Sequence, residues 1–294
     1  MSDTILLQHT SGDSARILAF GAELVAWRAQ GVDLIWAKDA NIWDQTAPIL
    51  FPVVGWTRGG RVRVDGAQYP LGLHGFAWKK RFETAERRAD YLRLALTDDA
   101  ETRALYPFAF RLEVEFRLRA GALENNLIVV NTGARPLPYA CGLHPAFRWP
   151  LAGSAAPHAI LFEKEERADV PIIGPGGLFA SQTRTTPLQG RRLPLAPAMF
   201  AEDALCFLNI ASERLVFDNG AGTRLAVALE GFPHVGFWTL PPAPYLCIEP
   251  WTGYGDPDDF EGDLYEKPSM RILAPGEGAR HGAIFALEQN ASLR

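Results

Sequence analysis

Hydrophobic and polar residues alternate along several short stretches of this chain. From Leu112 to Leu118 the sequence reads Leu-Glu-Val-Glu-Phe-Arg-Leu, with an apolar residue at every second position. Successive side chains of a β-strand point to opposite faces of the sheet, so this pattern predicts a strand with one buried face. The stretch from Tyr91 to Leu96 predicts another.

Turn-forming residues join such stretches into pairs. Ala120-Gly121-Ala122 separates the strand 112–118 from the apolar run 126–131, Asp65-Gly66 lies inside 61–71, and Asn219-Gly220 lies inside 215–229. Glycine, and to a lesser degree asparagine and aspartate, tolerate the positive φ that tight hairpins require. The sequence therefore predicts three antiparallel hairpins.

Helical signals are few. Only Asp98–Leu105 and Ala196–Leu205 favour short helices, and they do not alternate with strands as βαβ units would. The 22 prolines and 27 glycines are spread along the chain and would interrupt longer helices. Since Ala152–Pro157 and Gly174–Gly177 look like loops rather than linkers, we expect one all-β domain over residues 1–294.

Composition narrows the possible partners. With 48% hydrophobic and 21% charged residues, the chain is typical of globular proteins rather than disordered ones. The net charge of -5 and the scattered basic residues argue against a nucleic-acid partner, which needs a basic stripe. We expect no membrane span, because no apolar stretch approaches ~18 residues. The first ten residues lack the pattern of a secretion signal, so the cytoplasm is the expected compartment.

Several familiar catalytic motifs are missing. The sequence has no H-E-x-x-H, no Walker loop, no G-x-G-x-x-G and no G-x-S-x-G. Metalloproteases, nucleotide hydrolases, dinucleotide-dependent enzymes and serine hydrolases thus lose their usual signatures. The three scattered cysteines, Cys141, Cys206 and Cys247, are expected to be reduced, buried thiols.

Three segments each combine one titratable residue with glycine or proline and an aromatic residue. They are 73–78, 141–147 and 247–253, and they hold His74, His144 and Glu249 respectively. A histidine exchanges protons near neutral pH, and a glutamate in an aromatic pocket has a raised pKa. Aromatic rings such as Trp251 suit the C–H faces of a sugar, so the mixture points to a pyranose site.

A structural role for these residues remains open at this stage. A lone histidine in a β-rich protein is often part of the core, and Glu249 follows the apolar strand 245–248, whose end it would mark. The four other histidines lack comparable neighbours and are expected to be structural: His9, His158, His234 and His281.

In the order and spacing of these three segments the sequence resembles the aldose 1-epimerase family of the galactose-mutarotase-like superfamily. It is most similar to the branch typified by the lactose-operon X protein. The similarity begins at Phe20–Leu24, includes Ala47–Gly55 and Tyr106–Phe108, and ends at Lys267. The resemblance implies a large antiparallel β-sandwich with few short helices and an open sugar-binding face. It also implies an isomerase that interconverts the α and β anomers of a free monosaccharide without a metal or an organic cofactor.

The resemblance also assigns roles to residues. Glu249 corresponds to the general base that takes the proton of the anomeric hydroxyl, and His144 to the acid that protonates the ring oxygen. His74 corresponds to a second histidine that contacts the substrate. Ring opening needs one proton removed and one delivered, which suits two groups of different pKa.

The sequence departs from the branch at two positions where that branch usually has arginine. Here they hold Trp56 and Trp78. Arg58 or Arg61 is a candidate replacement for sugar binding, although either also fits a solvated turn or strand. A phosphorylated sugar would call for clustered arginines, so these changes argue against one.

Two other functions remain compatible with the residues. A glycoside hydrolase or lyase would pair Glu249 with Asp256, Asp258 or Asp259. A non-catalytic carbohydrate-binding protein would use the same cleft without turnover. The expected partner is in each case a small sugar, and both a monomer and a homodimer are possible.

Overall fold

Antiparallel strands make up nearly all of the regular structure in residues 3–289, the part of the chain that the computed structural model describes. The first strands in chain order are β1 (Thr4–Gln8), β2 (Ser14–Leu18), β3 (Leu24–Ala29), β4 (Val32–Asp33), β5 (Ile49–Leu50), β6 (Arg61–Val64), β7 (Ala67–Pro70), β8 (Glu83–Arg87), β9 (Tyr91–Thr97), β10 (Phe110–Arg119), β11 (Ala122–Asn131), β12 (Leu137–Tyr139) and β13 (Gly142–Leu143). They are followed by β14 (Ala146–Arg148), β15 (Ala159–Phe162), β16 (Asp169–Ile173), β17 (Phe179–Thr185), β18 (Arg192–Pro194), β19 (Leu205–Phe207), β20 (Arg214–Asp218), β21 (Thr223–Glu230), β22 (His234–Trp238), β23 (Tyr245–Trp251), β24 (Arg271–Leu273) and β25 (Gly278–Gln289).

Two large sheets dominate the architecture. A nine-stranded sheet has the order β18-β15-β20-β21-β25-β11-β10-β9-β8, and a six-stranded sheet has the order β19-β22-β23-β13-β5, with β14 also paired to β23. Strands β1 to β4 form a separate four-stranded sheet, and the pairs β6-β7, β12-β24 and β16-β17 form ribbons. The all-β expectation is confirmed.

The two large sheets pack face to face. Phe285 of β25 lies against Phe147 of β14, with ring centroids 5.2 Å apart, and Phe162 of β15 lies 6.1 Å from Phe237 of β22. These rings belong to a core that extends from Ile5 to Leu287 along the sequence. The sandwich that the resemblance implied is therefore confirmed, and one face of the six-stranded sheet is left free for a ligand.

The alternating pattern predicts the central strands correctly. In β10 the residues Leu112, Val114 and Phe116 are buried in the core, and the strand pairs with β9 on one side and β11 on the other. The Asp65-Gly66 turn closes the β6–β7 hairpin with φ values of 50° and 80°. The 112–131 and 215–229 hairpins are confirmed in the same way.

The two predicted helices have different outcomes. Helix α1 (Ala100–Leu105) lies within the predicted segment and begins two residues later than expected, because Asp99 caps it: Asp99 accepts the N–H of Thr102 and donates its own N–H to the Thr102 hydroxyl. The prediction for Ala196–Leu205 is wrong: only Pro197–Phe200 forms a 3₁₀ turn, and Leu205 already belongs to β19. Asp203 adopts a positive φ of 80°, which stops a helix there.

Other helical structure is limited to single turns. The remaining 3₁₀ turns are Arg58–Gly60, Ala77–Lys79, Leu151–Gly153, Pro175–Gly177 and Leu264–Glu266. Within residues 3–289, no helix has the length and apolar character needed to cross a membrane.

Candidate functional site

A cleft of about 530 Å³ lies on the free face of the six-stranded sheet. Successive residues of β23 face opposite sides of the sheet. Leu246 and Ile248 belong to the main core, whereas Glu249 and Trp251 line the cleft. Glu249 is therefore not at a strand end, as the sequence suggested. Strand β23 continues to Trp251, and Glu249 lies inside it with only 2% of its surface exposed.

Strand register brings His144 and Glu249 together. Gly142 pairs with Trp251 and Ala146 pairs with Cys247, so position 144 falls opposite position 249. Opposed residues of neighbouring antiparallel strands have Cβ atoms ~5 Å apart on the same face. The side chains meet accordingly, with His144 Nε2 3.2 Å from Glu249 Oε2.

The other neighbour of Glu249 is a glycine. Gly236 of β22 pairs with Glu249, and a Cβ on Gly236 would lie 2.5 Å from the ring of Trp251. The absence of a side chain at position 236 lets the Trp251 indole lie across β22 beside the carboxyl group. Trp251 thus lines the cleft, where the sequence placed it.

His74 reaches the same cleft from a loop. His74 and Gly75 both have positive φ, 58° and 68°, and a Cβ on Gly75 would lie 2.3 Å from the carbonyl oxygen of Phe51. This tight turn sets the His74 ring edge-on to that of His144, with centroids 5.5 Å apart. The N–H of Gly55 donates to His74 Nδ1 over 3.1 Å. A neutral His74 therefore carries its proton on Nε2.

Burial shifts the pKa values of Glu249, His144 and His74. It raises the pKa of Glu249 well above its usual range, and the charge of nearby Asp203 raises it further. It lowers the pKa of His144 well below its usual range, with a smaller effect from His74, and it lowers the pKa of His74 to about 3. The site therefore favours neutral forms, and His74 is uncharged at any physiological pH.

Indole rings surround the histidine and glutamate. The ring of His144 lies 5.3 Å from that of Trp43 and 5.8 Å from that of Trp238. Several buried polar atoms of the cleft lining have no hydrogen-bond partner among the described residues: His144 Nδ1, Trp78 Nε1, Thr239 Oγ1 and Trp251 Nε1. The Trp251 nitrogen lies near enough to Glu249 to lower the pKa of that carboxyl group slightly without meeting hydrogen-bond geometry. Each of these atoms is almost fully covered, so a sugar hydroxyl would reach one only after a small shift of the lining.

The two candidate arginines lie elsewhere. Arg58 and Arg61 line a neighbouring hollow of about 330 Å³ rather than the cleft. Arg58 donates through Nε to the carbonyl oxygen of Phe260 and also contacts that of Asp258, whereas Arg61 donates to Gln68 on its own hairpin. The structure gives neither arginine a contact with the cleft.

The loop that contains Asp256, Asp258 and Asp259 also lies away from Glu249. Asp256 forms a buried ion pair with Lys267 at 2.8 Å and accepts the N–H of Arg58. Asp256, Asp258 and Asp259 do not line the cleft. The structure instead places Asp203, an exposed residue that sequence reasoning missed, at the lining. No motif marks it, because it follows a short 3₁₀ turn that was expected to be a helix.

One set of potential metal ligands lies at the site. Donor atoms of His144, Cys247 and Glu249 are within 4.8 Å of one another. Cys247 is fully buried beneath the cleft, and burial together with the Glu249 charge raises the pKa of its thiol. A metal needs the thiolate, so this set fits proton transfer better than metal binding.

Comparisons with known proteins decide the family. The family model described as aldose 1-epimerase matches residues 3–285. The chain belongs to the aldose 1-epimerase family. The plasmid-encoded protein LacX of Lactococcus lactis subsp. lactis is similar to it, with 28% identity over 257 residues, 83% of this chain and 86% of the relative.

Solved structures of related proteins share the fold. A galactose mutarotase related enzyme from Lactobacillus acidophilus is 26% identical, with a TM-score of 0.90 and coverage of 98% of both chains. A galactose mutarotase-like protein from Lactobacillus casei is 25% identical, with a TM-score of 0.90, and covers 97% of this chain and 100% of its own. The family and its LacX-like branch, which the sequence segments indicated, are thereby confirmed.

Proposed function

We propose that this protein is an aldose 1-epimerase that interconverts the α and β anomers of a free monosaccharide. The observation that carries the proposal is the His144–Glu249 pair, 3.2 Å apart on the free face of the sheet and surrounded by indole rings. Membership of the aldose 1-epimerase family supports it.

The close approach of the two groups suits a reaction at one carbon atom. The anomeric hydroxyl oxygen O1 and the ring oxygen O5 are both bonded to C1. Glu249 takes the proton from O1 while His144 delivers one to O5, the C1–O5 bond breaks, and C1 becomes an aldehyde. Rotation about C1–C2 and the reverse proton transfers close the ring on the other face. Acid–base assistance of this kind is worth ~10²–10⁴-fold in rate.

One shared proton is enough for this cycle. The closed ring needs ionised Glu249 and protonated His144, whereas the aldehyde is matched by neutral Glu249 and neutral His144. Burial favours the neutral pair, since it raises the pKa of Glu249 and lowers that of His144. The neutral pair is therefore the more populated one-proton form. The ionised Glu249 and protonated His144 that act on the closed ring are the less populated form, and ring opening returns the pair to its favoured neutral form.

His74 serves the pair as a neutral donor. Its Nδ1 is occupied by the N–H of Gly55, which leaves Nε2–H for the sugar. The low pKa of His74, about 3, excludes it as the acid that exchanges a proton near neutral pH. We assign it to holding a sugar oxygen beside His144.

The pH profile of kcat/KM is expected to be bell-shaped with a broad maximum. Activity requires one proton on the His144–Glu249 pair. The acid limb, where a second proton binds, should fall below the usual histidine pKa of ~6.5, because burial lowers the pKa of His144. The alkaline limb, where the last proton leaves, should fall above the usual glutamate pKa of ~4.3. Polarimetry corrected for the uncatalysed rate at each pH measures both limbs.

The variant His74→Gln separates the roles of the two histidines. It should lower kcat/KM and leave the alkaline limb in place, while the acid limb moves at most slightly to higher pH, because His74 has a small lowering effect on the pKa of His144 and does not itself titrate in this range. Loss of the acid limb in His74→Gln, rather than this small shift, would show that His74 supplies the proton.

The decisive test is polarimetry on freshly dissolved α-D-glucose and α-D-galactose. The proposal requires the protein to accelerate the approach to anomeric equilibrium for at least one aldose. If anomer-resolved NMR over a panel of aldoses also showed no acceleration, while sugars bound, the cleft would be a binding site and not a mutarotase site.

The geometry gives a glycoside hydrolase less support. That chemistry needs two carboxyl groups that flank one bond, ~5–10 Å apart. Glu249 is in contact with His144, and Asp256 is engaged by Lys267. Among the described residues, only Asp203 adds a second carboxyl group to the cleft lining.

A further inference from the structure

The cleft lining has an unusual charge balance. Two carboxyl groups line it, those of Asp203 and Glu249, and none of the lysines or arginines in residues 3–289 does. Five indole rings complete the aromatic part of the lining: Trp43, Trp56, Trp78, Trp238 and Trp251. Indole faces attract cations, and so does the ionised carboxylate of Asp203. Glu249 adds little to this attraction, because burial raises its pKa and favours its neutral form.

Two cationic side chains that contact lining residues are held outside the cleft. Arg184 donates to the carbonyl oxygens of Asp203 and Ala204 and lies 3.5 Å from the carboxylate of Glu202. Lys79 places its Nζ 4.2 Å from the ring centroid of Trp78. Neither residue lines the cleft, although the Arg184 charge acts on Cys206 in the cleft wall and the Lys79 ammonium group lies against the ring of Trp78.

The carboxylate group of Asp203 has one oxygen atom that is available to a ligand. One of its carboxylate oxygens accepts the N–H of Ala204 at 2.7 Å, and the other receives no hydrogen bond from the described residues. The residue is exposed, adopts a φ of 80° and lines the cleft. Its charge also influences Glu249, which places it within electrostatic range of the reacting groups.

We propose that the cleft selects its sugar by charge, binding amino sugars more tightly than neutral hexoses and rejecting sugar phosphates and uronic acids. A protonated amine gains attraction from Asp203 and from the indole faces. A phosphate or carboxylate brought to the same place meets the like charge of Asp203, and no lysine or arginine of residues 3–289 lines the cleft to offset it. The proposal rests on the proposed function for the identity of the site, but it concerns binding and is tested without turnover.

Calorimetric titration at low ionic strength tests the order of affinities. The probes are glucosamine and galactosamine, glucose and galactose, and glucose 6-phosphate and glucuronate, at a pH that keeps the amines protonated. We expect each amino sugar to bind about three- to tenfold more tightly than its parent hexose, and the anionic sugars more weakly than glucose by at least as much. Equal affinities, tighter binding of an anionic sugar, or no binding of any probe would overturn the proposal.

Carboxylate variants show which side chain carries the charge that attracts the amino sugars. Asp203→Asn should remove most of the preference for the amino sugars, whereas Glu202→Gln, a neighbouring exposed carboxylate outside the cleft, should leave it unchanged. Trp56→Arg should improve the affinity for glucose 6-phosphate. A preference that survives Asp203→Asn, or that disappears in both carboxylate variants, would show that a local interaction with Asp203 is not responsible.

Failure of this proposal and failure of the proposed function look different. Mutarotation of glucose or galactose without a charge preference would leave the function intact and remove the inference. If the affinities followed the expected order but no aldose was accelerated, the inference would stand and the proposed function would be removed. Added salt should shrink the preference, because screening weakens an exposed charge interaction.

Discussion

Glu249→Gln is expected to lower kcat for mutarotation by about 10²–10⁴-fold. The amide has the size of the carboxyl group but cannot accept the proton of the anomeric hydroxyl. The fold should be unaffected, because Glu249 lies inside β23 and its amide replacement can still donate to His144 Nε2, now 3.2 Å from the carboxyl oxygen. The thermal midpoint should stay constant or rise, since a buried ionisable group is removed.

Polarimetry on the wild-type protein and the variant measures this loss. Glu202→Gln, an exposed carboxylate outside the cleft, is the matched control and should retain full activity. Sugar affinity measured by calorimetry should change little in Glu249→Gln compared with kcat. If Glu249→Gln retained activity within about threefold of wild type, the base would be another group, and Asp203 would be the first residue to test for that role.

Lys267→Met is expected to destabilise the protein by about 3–5 kcal/mol. Lys267 and Asp256 form an ion pair at 2.8 Å, with 1% and 5% of their side chains exposed. Without the lysine, Asp256 keeps only the N–H of Arg58 as a donor and remains a buried, unpaired carboxylate. The thermal midpoint should fall by on the order of 10 °C in a chain of this size.

Differential scanning calorimetry or denaturant titration measures the loss. The double variant Lys267→Met/Asp256→Asn should recover most of it, because no unpaired charge is left in the interior. Arg214→Met breaks an exposed pair, Arg214–Glu288, at a similar distance of 2.7 Å and should cost ~1 kcal/mol or less. A Lys267→Met loss no larger than this would mean that water reaches the Asp256–Lys267 pair.

Local patterns in the sequence predict the strands and turns well. The alternation of 112–118 and the Asp65-Gly66 turn depend on neighbours within a few residues, and both agree with the structure. Helix α1 follows from a local cap at Asp99, whereas the 196–205 helix fails because Asp203 adopts a left-handed backbone. Nothing in the composition of that segment reveals a positive φ at an aspartate.

The site depends on contacts that local patterns do not contain. His144 meets Glu249 because Gly142 pairs with Trp251, a register between segments more than one hundred residues apart. The three site segments are recognisable by their composition, but the strand pairing that unites two of them is not. Arg58 shows the converse, because its closeness to Trp56 in sequence suggested a cleft residue and its guanidinium group turns to the 256–260 loop.

The position of β25 has a consequence for how the chain is made. This strand, Gly278–Gln289, lies between β21 and β11 and is the one element that joins the two halves of the nine-stranded sheet. Until β25 has been synthesised, the two parts of this sheet cannot pair with each other. One part consists of β8 to β11 and the other of β15, β18, β20 and β21, and each has an unpaired edge where β25 will bind. Such edges invite pairing with other chains. Protection of the nascent chain therefore matters until β25 has left the ribosome.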